Sequence, residues 1–238
     1  MARPILELKD LRFAWPRDER DCLDIADFAV SPGETVFLHG PSGCGKSTLL
    51  SLMAGVLLPQ SGRVALLGTD WGALRPTARD RHRVDHVGYI FQQFNLLPYL
   101  TALDNVLLPC RFSALRRTAA EGRSASLQAA AEHWLAGMGL DASVWRRPAH
   151  TLSVGQQQRV AAARALIGQP DLVIADEPTS ALDEDRRDAF LDLLLSACVR
   201  AGSALVLVSH DRRIATRFGR QVLLPALNRA ARPEEVLA

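Results

Sequence analysis

Apolar residues along the chain follow three spacings, and each predicts a different kind of element. Leu6, Leu8, Leu11 and Phe13, then Leu23, Ile25, Phe28 and Val30, alternate loosely with polar residues, and Ser31-Pro32-Gly33 follows as a turn. With a third short stretch at 63–67, this alternation predicts a small antiparallel sheet. Leu172-Val173-Ile174-Ala175 and Ala204-Leu205-Val206-Leu207-Val208 are instead continuous apolar runs followed by polar residues. Runs of that kind suit parallel strands covered on both faces at the centre of an α/β sheet. Thr35-Val36-Phe37-Leu38 leads straight into a glycine-rich stretch and then helical spacing over 46–55.

The middle of the chain changes character. From about residue 95 to 147 branched residues thin out, alanines accumulate, and Leu127, Ala131, Trp134, Leu135 and Met138 recur at helical spacing. Gly139 is placed to stop that helix. Residues 118–126, polar with one glycine, predict a surface connection. The whole stretch predicts a helical lobe inserted between strands of the core, with Trp134 and Trp145 as packing residues.

Composition narrows the class. With 238 residues, 48% apolar and 23% charged, the chain has the balance of an ordinary globular domain. A formal net charge of +2 gives no support to nucleic-acid binding through net charge alone. All but two of the 28 basic residues are arginine, the exceptions being Lys9 and Lys46. No run of about 18 apolar residues offers a membrane-spanning helix, and the first ten residues lack the pattern of a cleaved leader. The expectation is a cytoplasmic protein. Cys22, Cys44, Cys110 and Cys198 form no metal-ligand spacing and read as reduced thiols.

One stretch carries strong chemistry. Gly40-Pro41-Ser42-Gly43-Cys44-Gly45-Lys46-Ser47-Thr48 satisfies G-x-x-x-x-G-K-[ST] between a predicted strand and a predicted helix. Glycines let successive backbone N–H groups turn inward around phosphate oxygens, and the helix start adds its positive end. Lys46 would reach the β- and γ-phosphates and Ser47 would ligate Mg²⁺. A compact ammonium fits there where a guanidinium fork would not. Further on, the run at 172–175 delivers Asp176 and Glu177 at a strand end, suited to a Mg²⁺ shell and to accepting a proton from attacking water. Leu152-Ser153-Val154-Gly155-Gln156 opens a helix in which Ser153 and Gln156 have capping-box spacing. Gly155 keeps the approach to that helix end open to an anion, although the stretch alone also reads as an ordinary capped helix.

These motifs, in this order, resemble the nucleotide-binding subunits of ABC transporters over nearly the whole chain. Residues 40–48 match the family's Walker A loop, Gln92 its Q-loop, 152–156 its signature and 171–177 its Walker B segment with the glutamate. Ser180-Ala181-Leu182-Asp183 resembles the D-loop, His210 the switch histidine, and Trp15 the aromatic that stacks on adenine. The resemblance implies a P-loop NTPase fold with a parallel sheet, a flanking antiparallel β-subdomain and an inserted helical subdomain. It divides one domain into a nucleotide-binding core at 1–94 and 156–238 and a helical signature part at 95–155. It implies ATP and Mg²⁺ as ligands, and a homodimer sandwiching two ATP molecules. Each ATP would lie between one subunit's Walker A loop and the other's Ser153, Gly155 and Gln156. Ser47, Gln92 and Asp176 would serve the metal. Glu177 would act as base, with His210 and Gln92 arranging the water. An integral membrane permease would be the partner, holding the chain at the inner face of the cell membrane, and no direct nucleic-acid contact is implied.

Several positions depart from the pattern. Val154 replaces the first signature glycine while Gly155 is kept; Gln93 duplicates Gln92; Phe13 competes with Trp15 for the adenine. The usual Asp-Gly hairpin after Arg220-Gln221-Val222-Leu223-Leu224 is replaced by Pro225-Ala226-Leu227-Asn228, leaving the last strand pairing open. Residues 91–106 look most like the branch serving lipoprotein release, macrolide efflux and FtsE-like division ATPases. The leading expectation is an ATP-hydrolysing motor subunit for a separate membrane protein. A soluble ABC ATPase acting on nucleic acid or ribosomes, a small-acceptor P-loop kinase and a low-turnover nucleotide clamp are the alternatives.

Overall fold

The computed structural model describes residues 3–16, 18, 20–180 and 182–231. In chain order its main elements are β1 (Leu6–Phe13), β2 (Leu23–Val30), β3 (Thr35–His39), α1 (Lys46–Met53), β4 (Ser61–Leu66), β5 (Thr69–Asp70), α2 (Pro76–His86) and β6 (Val87–Ile90). There follow α3 (Ala102–Phe112), α4 (Ala114–Glu121), α5 (Leu127–Gly137), α6 (Ala142–Trp145), α7 (Val154–Leu166) and β7 (Leu172–Asp176). The chain closes with α8 (Glu184–Ala201), β8 (Ala204–Val208), β9 (Arg220–Leu223) and α9 (Leu224–Leu227). Two compact units result: one from the chain up to Arg83 and from Val206 onward, the other from Val84–Leu205.

In the first unit, β1 lies between β2 and β4 in an antiparallel sheet ordered β2-β1-β4-β5. The loose alternation in the sequence has a physical cause. Leu6 and Leu8 face inward, and so do Leu11 and Phe13, so the pattern shifts by one residue at Lys9-Asp10. Opposite, β2 shifts at the same level between Ile25 and Phe28. A register shift between Lys9 and Arg12 against β4 absorbs the extra residue as a bulge, with Asp10 at φ 46°. Gly62 lies against it. A Cβ there would sit 2.1 Å from the Asp10 carbonyl oxygen, so only glycine lets the two backbones meet. The same unit pairs β3 with β9 in parallel from Val36↔Arg220 to His39↔Leu223. The chain then turns directly into α9 where the usual hairpin was missing.

The second unit pairs β6 with β7 in parallel, Val87↔Leu172 through Ile90↔Ala175. Leu172, Val173, Ile174 and Ala175 are fully buried, as continuous apolar runs require. Helices α3 to α6 occupy the alanine-rich middle. Helix α5 ends at Gly137, with Met138 as its cap and Gly139 left-handed at φ 70°. Trp134 is buried, and Trp145 donates its Nε1–H to the Leu140 carbonyl at 3.0 Å, so both pack as anticipated.

Two boundaries differ from expectation. The helix anticipated over 46–55 ends at Met53, with Ala54 as its cap. The surface connection anticipated at 118–126 is helical through Glu121, because α4 buries Arg116 and Ala120 on one face. The Arg116 guanidinium donates from Nε to Ile167 O at 2.8 Å and from Nη2 to Ala165 O at 2.6 Å. Those carbonyls end α7, and a buried cation there satisfies acceptors that the helix itself leaves unpaired. Burial lowers this guanidinium to about 10, and no carboxylate lies within salt-bridge distance of it among the described residues. Replacing Arg116 by Met should remove the donors while keeping most of the volume. The expected loss is about 3 kcal/mol of unfolding free energy, read as a shift in urea midpoint. An unchanged midpoint would mean that the carbonyls find other donors.

Candidate functional site

In the first unit, the chain leaves β3 at His39 and turns into α1 through residues 40–45. Gly43 (φ 83°) and Gly45 (φ 96°) are both left-handed, the region that side chains disfavour. Gly45 is the residue before α1 and makes no side-chain cap, so the helix opens on bare N–H groups. Lys46 curls back along the loop, and its Nζ donates to Gly40 O and Pro41 O at 2.8 Å each. Cys44 is buried, Lys46 is half-buried and Ser47 is exposed.

This turn forms one side of a cavity of about 780 Å³, whose lining includes Gly43, Cys44, Gly45, Lys46, Ser47 and Thr48. Trp15 also lines it, 44% exposed. Phe13, the other aromatic considered, is buried and meets the Trp15 ring edge-on, with centroids 5.3 Å apart at 87°. Trp15 therefore presents a ring to the cavity, and Phe13 supports it. The same walls hold residues that the sequence did not assign to the site: Asp18, Arg20, Asp21, Cys22, Asn228 and Ala230. No local pattern marks them, since Cys22 and Asn228 meet across a sequence separation of 206.

His39 ends β3. It stacks on Phe37 with centroids 5.5 Å apart, and its buried Nδ1 has no hydrogen-bond partner. Burial first, then the positive charges of Arg212 and Lys46, hold its imidazole below the usual histidine range. His210 follows β8 and is exposed, beside a turn in which Ser209 N donates to Leu38 O at 3.3 Å and Asp211 N to Ser209 Oγ at 3.1 Å.

In the second unit, Asp176 ends β7 and Glu177 follows it with φ 45°, a costly conformation for a residue with a side chain. On the neighbouring β6, burial and then the Asp176 carboxylate push the Tyr89 hydroxyl well above its usual range. Gln92 and Gln93 are both exposed just beyond β6. Behind them Phe94 and Asn95 are left-handed at φ 58° and 47°. Arg164 of α7 holds that bend by donating to the carbonyls of Phe94 and Asn95, the latter at 2.7 Å. At the start of α7, Ser153 N–H donates to Gln156 Oε1 at 2.9 Å and Gln156 N–H to Ser153 Oγ at 3.3 Å, a complete capping box. Val154 is half-exposed and Gly155 faces open space. Gln158 donates to Pro178 O at 2.6 Å, tying α7 to the segment after Glu177. Asp183 caps α8 by accepting from Arg186 N at 3.0 Å, while Ala181 lies outside the described residues.

The strand, the glycine turn, the helix and the aromatic-walled cavity define a P-loop nucleotide-binding protein. The chain belongs to the ABC transporter family, whose model matches residues 23–180. It is similar to the lipoprotein-releasing system ATP-binding protein LolD of Novosphingobium aromaticivorans, at 38% identity over 226 residues, 94% of this chain and 97% of that one. The LolD of Anaeromyxobacter dehalogenans is 46% identical over 199 residues, covering 83% and 80% of the two chains. In fold it is similar to the ATP-binding cassette MJ0796, whose dimeric post-hydrolysis structure is bound to ADP and Pi. That match has a TM-score of 0.80 and 31% identity over 96% of each chain. The fold is the α/β P-loop NTPase fold, and the chain is an ATP-binding, ATP-hydrolysing subunit of an ABC transporter.

The environment of His39 fixes a pH response. A base whose proton binds less readily in the folded than in the unfolded state costs nothing above its unfolded value of 6.5 and destabilises the fold as pH drops below it. His39→Gln should lose less thermal stability than the native chain between about pH 7 and about pH 5. Parallel slopes for the two would place the acid sensitivity elsewhere.

Proposed function

We propose that the chain works as one of two identical subunits that clamp ATP between them and drive a separate integral membrane permease at the inner face of the cell membrane. The observation that carries this reading is the first-unit cavity, which joins a glycine turn with a lysine to an exposed tryptophan. Phosphates need inward N–H groups and a cation, a purine needs a flat apolar surface, and one cavity offers both.

In this reading the N–H groups of residues 40–48 and Lys46 hold the phosphates, and Trp15 stacks on adenine. Among the described residues no three His, Cys, Asp or Glu side chains converge on a metal position. That suits Mg²⁺, which takes few protein ligands and completes its shell with phosphate oxygens and water. The Ser47 hydroxyl, the Asp176 carboxylate and the Gln92 amide are the hard oxygen donors that would hold it. When bound, the metal neutralises phosphate charge. Glu177 takes the proton from attacking water, and the exposed His210 orients that water. Ser153, Gly155 and Gln156 serve the partner copy's nucleotide, with Asp183 beside it. The capping box of α7 supports that role by fixing the helix end rigidly, and half-exposed Val154 leaves Gly155 open.

The names of the relatives support a membrane system that releases lipoproteins as the setting. No helix among the described residues is long and apolar enough to cross a membrane, which suits a subunit that reaches the bilayer through a partner.

Lys46→Ala should weaken ATP binding at least tenfold by equilibrium titration, and unchanged affinity would overturn the phosphate assignment. Glu177→Gln should keep ATP affinity and lower turnover by about 10² or more, accumulating an ATP-bound dimer in gel filtration. Normal turnover in that variant would put the base elsewhere. The same variant, purified with ATP from gently solubilised membranes, should carry an integral membrane protein with it. Recovery of ribosomes or nucleic acid instead would retain the ATPase and remove the permease.

A further inference from the structure

The cavity has a wall that the motifs do not account for. Strand β2 is at the edge of its sheet, so one side of its backbone has no neighbouring strand. At its start, the segment after α9 takes that neighbour's place. Asn228 accepts from the Asp24 N–H through Oδ1 at 2.8 Å and donates from Nδ2 to the Cys22 carbonyl at 3.0 Å. In an extended chain the C=O of one residue and the N–H two residues on point to the same side, so the carboxamide stands in for a peptide group of a paired strand. Arg229 continues the pairing. Its N–H donates to Asp24 O at 2.8 Å and its Nε to Asp24 Oδ1 at 2.9 Å. Asn228 itself is 5% exposed, and Ala230 N–H also donates to its Oδ1 at 3.1 Å. One side-chain amide thus makes three hydrogen bonds.

What this clasp holds is the backing of the glycine turn. A Cβ on Gly45 would meet Leu23 Cδ2 at 3.0 Å and Cys22 Sγ at 3.4 Å, so the gripped segment presses directly on Gly45. Cys22 Sγ also lies 3.9 Å from Thr48 Oγ1 on α1. The other end of the turn meets α9, since a Cβ on Gly40 would lie 3.0 Å from Pro225 Cδ. Pro225 thus backs one end of the turn directly and Asn228 backs the other through Cys22-Leu23-Asp24, and Asn228 and Ala230 line the cavity together with Trp15.

We propose that Asn228 is a positioning residue for the nucleotide, holding Cys22-Leu23-Asp24 against the Gly45 turn so that the phosphate-binding amides and the cavity wall keep their spacing. The proposal rests on the nucleotide reading of this cavity. An affinity set in this way should fall when the carboxamide is removed, while chemistry on bound ATP, which uses other groups, continues.

Mant-ATP titration of the full chain, with kcat measured at saturating ATP, tests it. Asn228→Ala should raise the mant-ATP Kd on the order of tenfold with kcat within about twofold of native. Asn228→Asp, which keeps an acceptor for Asp24 but turns an oxygen towards the Cys22 carbonyl, should lose at least as much. Unchanged Kd in the folded variants, or a fall in kcat with Kd unchanged, overturns the proposal. Lys46→Ala, run in parallel, separates the two readings. If it too leaves Kd unchanged, the cavity is not the nucleotide site; if only it loses affinity, the clasp alone is wrong. Should neither Asn228 variant fold, labelling of native Cys22 by N-ethylmaleimide decides. ATP should slow it, and labelling unaffected by ATP overturns the proposal.

Discussion

The first unit is organised around the demand that the chain leave β3 and enter α1 with its amide groups turned inward. Two left-handed glycines make this turn possible, and the Lys46 ammonium steadies it by gripping the carbonyls of Gly40 and Pro41. Such a turn has little stability of its own, because glycine brings the largest backbone entropy loss and no side-chain packing. It therefore has to be braced from outside. Leu23 and Cys22 bear on Gly45, and Pro225 bears on Gly40. The start of β2 and the segment after β9 supply that bracing in this unit. The cavity is the space they leave.

In the second unit the corresponding constraint is a helix that must end inside the protein. Helix α7 opens on the capping box of Ser153 and Gln156 and buries its last residues, Ala165 and Leu166. Arg116 meets those carbonyls from α4, while Arg164 reaches from α7 to the left-handed bend at Phe94 and Asn95. Burial lowers both guanidinium groups to about 10, without taking the charge away near neutral pH. In a chain with only two lysines, arginine does this work for a geometric reason. A planar fork reaches several carbonyls at once, where an ammonium satisfies them less completely.

The alanine-rich middle belongs to the same logic. Ala161, Ala162 and Ala163 of α7 are fully buried, and small side chains let neighbouring backbone come close. Gly88 on β6 takes this furthest, since a Cβ there would stand 2.2 Å from Ala165 O. The Gln92 loop, the α7 start and the Asp176-Glu177 strand end all belong to this one compact unit.

Much of this was legible in the sequence because it is local. The glycine turn, its lysine and serine, the capping box of Ser153 with Gln156, and the apolar runs ending at Asp176 and before His210 are set by neighbours a few positions apart. Backbone geometry then fixes what each can do. The misplaced boundary at 118–121 failed for a tertiary reason: the stretch reads as a surface connection, yet the burial of Arg116 and Ala120 extends α4 through Glu121. Only the folded chain could decide that Trp15 rather than Phe13 offers its ring to the cavity, or that burial lowers the proton affinity of His39. Only the fold, too, could bring Asn228 to Cys22, 206 positions away. Local chemistry is written in the spacing of residues; burial and long-range contact are not, because they depend on how the entire chain excludes water.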